Sequence, residues 1–232
     1  MLEVDSLTAG YGETVIIRDL SMSVGKDEFV AVLGRNGMGK TTLLECLAGT
    51  LETQSGTVML AGEDLTSLQA HERAREGITL IPQGREIFDE LTVRENLNMG
   101  AYVSGKNGRI KFDDVFEYFP ILEERLNQKG GTLSGGQQQM LTIARGLLTD
   151  PDLILLDEPS EGIQPSIIKE LGDILPQIHT EFGIPIVLVE QNVELVRSTV
   201  DRAYILENGS IVEHDSIKIL EDEGLLEKYI GV

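Results

Sequence analysis

The sequence predicts an α/β fold built on a mostly parallel sheet, with a helical subdomain inserted partway along the chain. Three observations predict it. Short β-branched and apolar runs alternate with amphipathic helical stretches, the pattern of βαβ units. A glycine-rich loop separates one such run from one such helix. Between Leu91 and Gly131 the alternation gives way to short helical pieces. At 232 residues the chain suits one large domain, residues 1–232, and is too short for two full-sized domains with linkers.

The elements follow in order. Residues 2–7, 15–17 and 21–24 read as short strands, and the apolar run Phe29, Val30, Ala31, Val32, Leu33 as a buried one. A helical stripe of Leu43, Leu44, Leu47 and Ala48 comes next. Residues 57–60 read as a strand, 69–76 as a short helix and 78–81 as a buried strand stopped by Pro82. Helical pieces at 93–98 and 112–118 are separated by a polar, glycine-containing stretch at 104–108. A helix at 137–148, a fully buried parallel strand at 153–156, a helix at 167–178 and a strand at 184–189 complete the alternation. Asn208 and Gly209 between two apolar runs signal a two-residue hairpin, and residues 225–230 read as a closing helix. Little chain follows Gln191, so no substrate-sensing C-terminal domain is expected.

Composition removes several function classes. No apolar run is long enough to span a bilayer, and the first ten residues lack a basic region followed by an apolar stretch, so membrane association would come through a partner. The single cysteine, Cys46, reads as a buried apolar filler. With 39 acidic against 19 basic residues the formal charge is −20, which disfavours nucleic-acid binding through a broad basic face. The self-repulsion is largely screened where salt approaches ~1 M, so the charge predicts a high-salt cytoplasm, the alternative being an ordinary acidic enzyme.

Three motifs carry chemistry. Gly34-Arg35-Asn36-Gly37-Met38-Gly39-Lys40-Thr41 fits a phosphate loop, whose backbone N–H groups surround phosphate oxygens at the positive end of a helix. Lys40 can reach the β and γ phosphates of ATP, the Thr41 hydroxyl can ligate Mg²⁺, and Thr42 supports the helix start. The run Leu153-Ile154-Leu155-Leu156 delivers Asp157 and Glu158 to the carboxyl end of a buried strand, where open α/β sheets place ligands. Asp157 suits the magnesium and Glu158 the water attacking the γ phosphorus. Leu133-Ser134-Gly135-Gly136-Gln137 precedes a helix, with Ser134 as its N-cap and the glycines leaving room for an anion. A glycine turn or a strand-end acidic pair would explain the first two motifs singly; the strand-loop-helix context favours phosphate chemistry. One complete phosphate loop plus a second anion site makes sense if the second serves the nucleotide of another subunit.

These motifs, in this order and over essentially the whole chain, resemble the ABC ATPase family. The resemblance implies a P-loop NTPase core with a mostly parallel sheet, an N-terminal antiparallel β-subdomain and an inserted helical subdomain at about 91–148. It implies that Tyr11 stacks on adenine and that Gln83 touches magnesium and links the ATP site to the helical subdomain. Gln191 stands where most members carry histidine. An amide can hydrogen-bond a γ phosphate but does not titrate near neutrality, so its role is orientation. Gln164 stands where an aspartate is usual. Together with the surroundings of Gln83, Gln137 and Glu161, these departures look like the importer branch for urea and branched-chain amino acids, with the urea type closer. The implied partners are membrane-spanning permease subunits, a second ATPase subunit (a non-identical paralogue or a second copy), and indirectly an extracytoplasmic solute-binding protein, with no nucleic acid. The implied place is the cytoplasmic face of a prokaryotic membrane. The docking surface expected is the edge around Arg85, Ile87 and Phe88. The competing readings are a non-transport ABC ATPase in DNA repair, chromosome organisation or translation, and a catalytically dead regulatory subunit.

Overall fold

Alternating apolar and polar residues at the start of the chain make strands covered on one face. In the computed structural model, which describes residues 1–103 and 108–231, β1 (Leu2–Tyr11) and β2 (Thr14–Val24) pair antiparallel. The two segments expected at 15–17 and 21–24 are one strand. Arg18 and Asp19 broke the apolar pattern, and the backbone absorbs them as a register shift with Asp19 at φ 47°. The wholly apolar β3 (Phe29–Leu33) is buried at every residue. It leads through the glycine loop into α1 (Lys40–Ala48), after which β4 (Thr53–Leu60) pairs with β1 and the two-residue β5 (Glu63–Asp64) with β4.

α2 (Ala70–Arg75) and β6 (Ile78–Ile81) precede the helical stretch of α3 (Val93–Val103), α4 (Phe112–Tyr118), α5 (Pro120–Glu124) and α6 (Gly135–Leu147). α5, with Pro120 in its first turn, was not expected; most of the polar stretch foreseen at 104–108 lies outside the described residues. β7 (Leu153–Asp157), α7 (Pro165–Phe182), β8 (Ile186–Glu190), α8 (Val193–Thr199), β9 (Arg202–Glu207), β10 (Ser210–Ser216) and α9 (Glu223–Tyr229) complete the order. α8, too short to show a helical stripe in the sequence, is capped by the Asn192 side chain, which accepts from the Leu195 N–H at 3.1 Å.

Among the described residues the larger sheet runs β10-β9-β3-β8-β7-β6, parallel except for β10, and the smaller runs β2-β1-β4-β5, antiparallel throughout. The antiparallel sheet lies at the N-terminal end of the chain, as the resemblance implied. Because successive strand residues point to opposite faces, the central strands divide between two cores. Phe29, Ala31, Leu33, Leu156 and Leu188 face Leu97, Leu141 and Leu171 on the helical side. Val30, Val32, Leu155 and Val187 face α1 and the antiparallel sheet. The Asn208-Gly209 turn closes β9 to β10 as foreseen, with both residues at positive φ. A side chain at Gly209 would collide with the Ile16 carbonyl, 1.7 Å from the place of its Cβ. That close approach seats the hairpin against β2, and the Gly209 N–H joins it to the glycine loop by donating to the Met38 carbonyl at 3.0 Å.

Candidate active site

The glycine loop leaves the end of β3 and enters α1 with no side-chain cap and no acidic residue in the first turn, so the helix keeps its first N–H groups for an outside anion. The N-cap is Gly39 at φ 104°, a conformation that side chains resist. Lys40, the first helical residue, is 4% exposed. Its ammonium donates to the carbonyls of Gly34 at 2.8 Å and Arg35 at 3.2 Å and pairs with Glu158 Oε1 at 3.0 Å. Beside it opens a cleft of about 350 Å³ lined by Tyr11, Asn36, Gly37, Gly39, Lys40, Thr41, Thr42, Gln83 and Glu158. Tyr11 is 51% exposed at its rim, its hydroxyl bonded to the Glu45 carboxylate.

β7 ends on Asp157, 3% exposed, whose Oδ1 has no hydrogen-bond partner. Burial pushes its carboxyl up to about 6, helped by the nearby Glu158 and opposed by the Thr41 hydroxyl and Lys40. A buried, unpartnered carboxylate oxygen is costly unless something polar meets it. Among the described residues no group of three or more His, Cys, Asp and Glu could hold a metal unaided. A magnesium ion fits such a donor set, since it is typically held by one or two carboxylates together with substrate phosphates. Asp157, with the Thr41 hydroxyl beside it, would supply part of the protein share.

Glu158 lies just beyond the strand at φ 41°, its N–H donating to the Val189 carbonyl at 2.9 Å. The Gln191 amide nitrogen stands 2.9 and 3.0 Å from the two Glu158 oxygens and 2.5 Å from Asn36 Oδ1, joining that carboxylate to the glycine loop. Gln83 donates to Glu161 Oε2 at 2.8 Å, and Arg85 to the Gly162 carbonyl at 2.8 Å. Ser134 is the N-cap of α6 as expected, in a reciprocal capping box with Gln137. Leu133, Ser134, Gly135, Gly136 and Gln137 do not line the cleft. Gln164 occupies the N-cap position of α7 without a side-chain capping bond and is followed by Pro165. Ile87 is half-buried against the core, so of the three residues expected to form a docking edge only Phe88 stands exposed.

Two residues in this neighbourhood escaped the sequence reading. Glu190 follows four apolar residues, and its charge at a strand end was the available signal. Arg73, on an outwardly polar helix, is 1% exposed beneath the end of α1.

The ABC transporter family model matches residues 17–161. Over its whole length the chain is 42% identical to the high-affinity branched-chain amino acid transport ATP-binding protein BraG of Pseudomonas aeruginosa, all of which is covered. It is 36% identical to the probable branched-chain amino acid transport ATP-binding protein LivF of Archaeoglobus fulgidus (100% of this chain, 99% of the relative), and 33% identical to the lipopolysaccharide export system ATP-binding protein LptB of Haemophilus influenzae (100% and 97%). The fold matches the ADP conformation of MJ1267, an ATP-binding cassette of an ABC transporter, with a TM-score of 0.86 and 27% identity over 100% of this chain and 99% of that one. Phosphate loop, strand-end carboxylates and full-length relatives agree: the chain belongs to the ABC transporter family and is one of its ATPases.

Proposed function

We propose that the chain hydrolyses magnesium-ATP to power an importer of branched-chain amino acids through separate membrane subunits. The observation that carries the chemistry is the unpartnered Asp157 oxygen beside Thr41 and Lys40 at the helix N-terminus. The solute rests on the names of BraG and LivF; urea, the other solute of the branch the motifs resemble, is the alternative.

In this reading the loop from Gly34 to Thr42 grips the triphosphate with its backbone N–H groups, and Tyr11 stacks on adenine from the rim. Lys40 exchanges its pairing with Glu158 for the β and γ phosphates. Glu158, no longer shared with the ammonium, accepts the proton of the attacking water, while Gln191 fixes its direction. Thr41, Gln83 and Asp157 would hold a magnesium ion, which would supply charge neutralisation at the triphosphate. Leu133 to Gln137 lie away from the cleft of their own subunit, which supports their closing on the ATP of a second ATPase subunit. Phe88, Met99 and Val103 are exposed around a groove of about 240 Å³ that also contains Arg145, and Tyr102 of α3 is exposed as well. This surface supports docking of the permease subunits and a place on the cytoplasmic face of a membrane.

Glu158→Gln is expected to lower turnover by about 10²–10⁴-fold, as loss of a general base does, while ATP binding persists. Steady-state phosphate release measures it, and unaltered turnover contradicts the assignment. The charge of −20 supports a high-salt cytoplasm. Melting temperature should rise with KCl toward ~1 M as repulsion is screened, and equal or greater stability at low salt removes that idea.

A further inference from the structure

β8 ends on a carboxylate with three backbone partners. Glu190 is 2% exposed. Its Oε1 accepts from the Ser160 N–H at 2.9 Å, and its Oε2 from the N–H groups of Gln191 at 2.9 Å and Asn192 at 3.0 Å. No lysine or arginine ion pair to Glu190 is present among the described residues, so amide dipoles carry its solvation. The three amides belong to two loops, one leaving β7 and one leaving β8, and each loop bears a side chain of the site.

We infer that Glu190 is a positioning residue of the ATPase reaction, its buried carboxylate tying the loop that carries Glu158 to the loop that carries Gln191. Glu158 holds φ 41°, a left-handed conformation that costs energy in a residue with a side chain and persists only where the surroundings enforce it. Two bonds bracket it. Its own N–H is anchored to the Val189 carbonyl, and the N–H two residues on is anchored to the side chain of Glu190, the next residue of the same strand. The other oxygen of that carboxylate fixes the backbone from which Gln191 reaches the Glu158 oxygens. One side chain therefore sets both halves of the contact at 2.9 and 3.0 Å. The groups that bind ATP, from Tyr11 to Thr42, belong to other segments, and none of them bonds the Glu190 carboxylate directly among the described residues.

The inference rests on the assignment of Glu158 and Gln191 under the proposed function, and its test separates the two. Glu190→Gln keeps the shape but puts an NH₂ group where an acceptor is needed, breaking one loop's tie. Because a misplacement of about 1 Å in reacting groups costs on the order of 10²-fold, kcat should fall by about 10- to 100-fold. KM for ATP should stay within about threefold, the split expected of a group that acts after binding. Glu190→Asp, one methylene shorter, cannot span both loops and should show the same split. In the unchanged protein, amide exchange resolved by NMR should find the Ser160, Gln191 and Asn192 N–H groups protected although all three lie outside the strands. A folded Glu190→Gln enzyme with undiminished kcat, a parallel loss of kcat and ATP affinity, or a freely exchanging Ser160 amide overturns the inference. If Glu158→Gln stops turnover while Glu190→Gln does not, only the role of Glu190 falls; if Glu158→Gln is fully active, the underlying reading falls.

Discussion

Asp157 is a residue whose resting environment opposes its charge. Its carboxyl, raised from 3.8 to about 6 chiefly by burial, binds a proton more tightly in the folded chain than in the unfolded one. The contribution of this group to stability is therefore full below pH 4 and lost as pH rises through about 6. Asp157→Asn should stabilise the nucleotide-free protein at pH 7 by about 1–3 kcal/mol, the scale of a two-unit shift, and the gain should fade toward pH 4. Urea melts of both proteins across that range check the sign; a gain independent of pH contradicts it. The same variant should lose magnesium-dependent turnover. Asp157, Glu158 and Gln191 were all legible in the sequence because each follows an apolar strand in a motif order that resembles a known family. Glu190 was not, because a carboxylate beside a motif carries no sign of which backbone amides it will meet.

At the scale of elements, α1 is held at both ends. Its N-terminus faces the cleft. At its C-terminus the Arg73 guanidinium, reaching in from α2, donates to the carbonyls of Cys46 at 2.6 Å and Leu47 at 3.0 Å, and to those of Leu68 and Thr66 at 3.0 Å each. It thereby satisfies carbonyls that a helix end leaves open. Arg73→Met should cost on the order of 3 kcal/mol, since charged hydrogen bonds are lost and buried carbonyls stripped, and should raise KM for ATP as the phosphate-loop helix loosens. A urea melt paired with ATP kinetics checks both; unchanged stability would mean that water replaces the guanidinium. Elements with continuous or strictly periodic apolar patterns, such as β3, β7 and the β9–β10 hairpin, were legible in advance. The continuity of β2 through Arg18 and Asp19 was not, because a bulge is fixed by the pairing with β1 and leaves no periodic trace. α5 and α8 are too short for a helical stripe to emerge.

At the scale of the whole molecule, the β3, β7 and β8 strands separate two cores, one shared with α1 and the antiparallel sheet, the other with the helices from α3 to α7. The candidate cleft opens where the strands end, and Gln83, just past β6, lines it, while the exposed Phe88 follows five residues later in the chain. The Phe88 ring lies under the Arg145 guanidinium at 5.1 Å, presented by both β6-side loop and α6. Phe88→Asp should uncouple solute uptake in the reconstituted complex while leaving the ATPase rate of the isolated subunit within about twofold, as for exposed substitutions away from a site; undiminished uptake contradicts the docking proposal. The proposed hydrolysis requires two subunits to share each nucleotide, and a structure of Glu158→Gln with magnesium-ATP tests this directly. It should show the γ phosphate between Lys40 of one subunit and Ser134 and Gly136 at the start of α6 of the other. Nucleotide bound elsewhere, or a lone subunit whose Ser134 faces solvent with ATP in place, would contradict it.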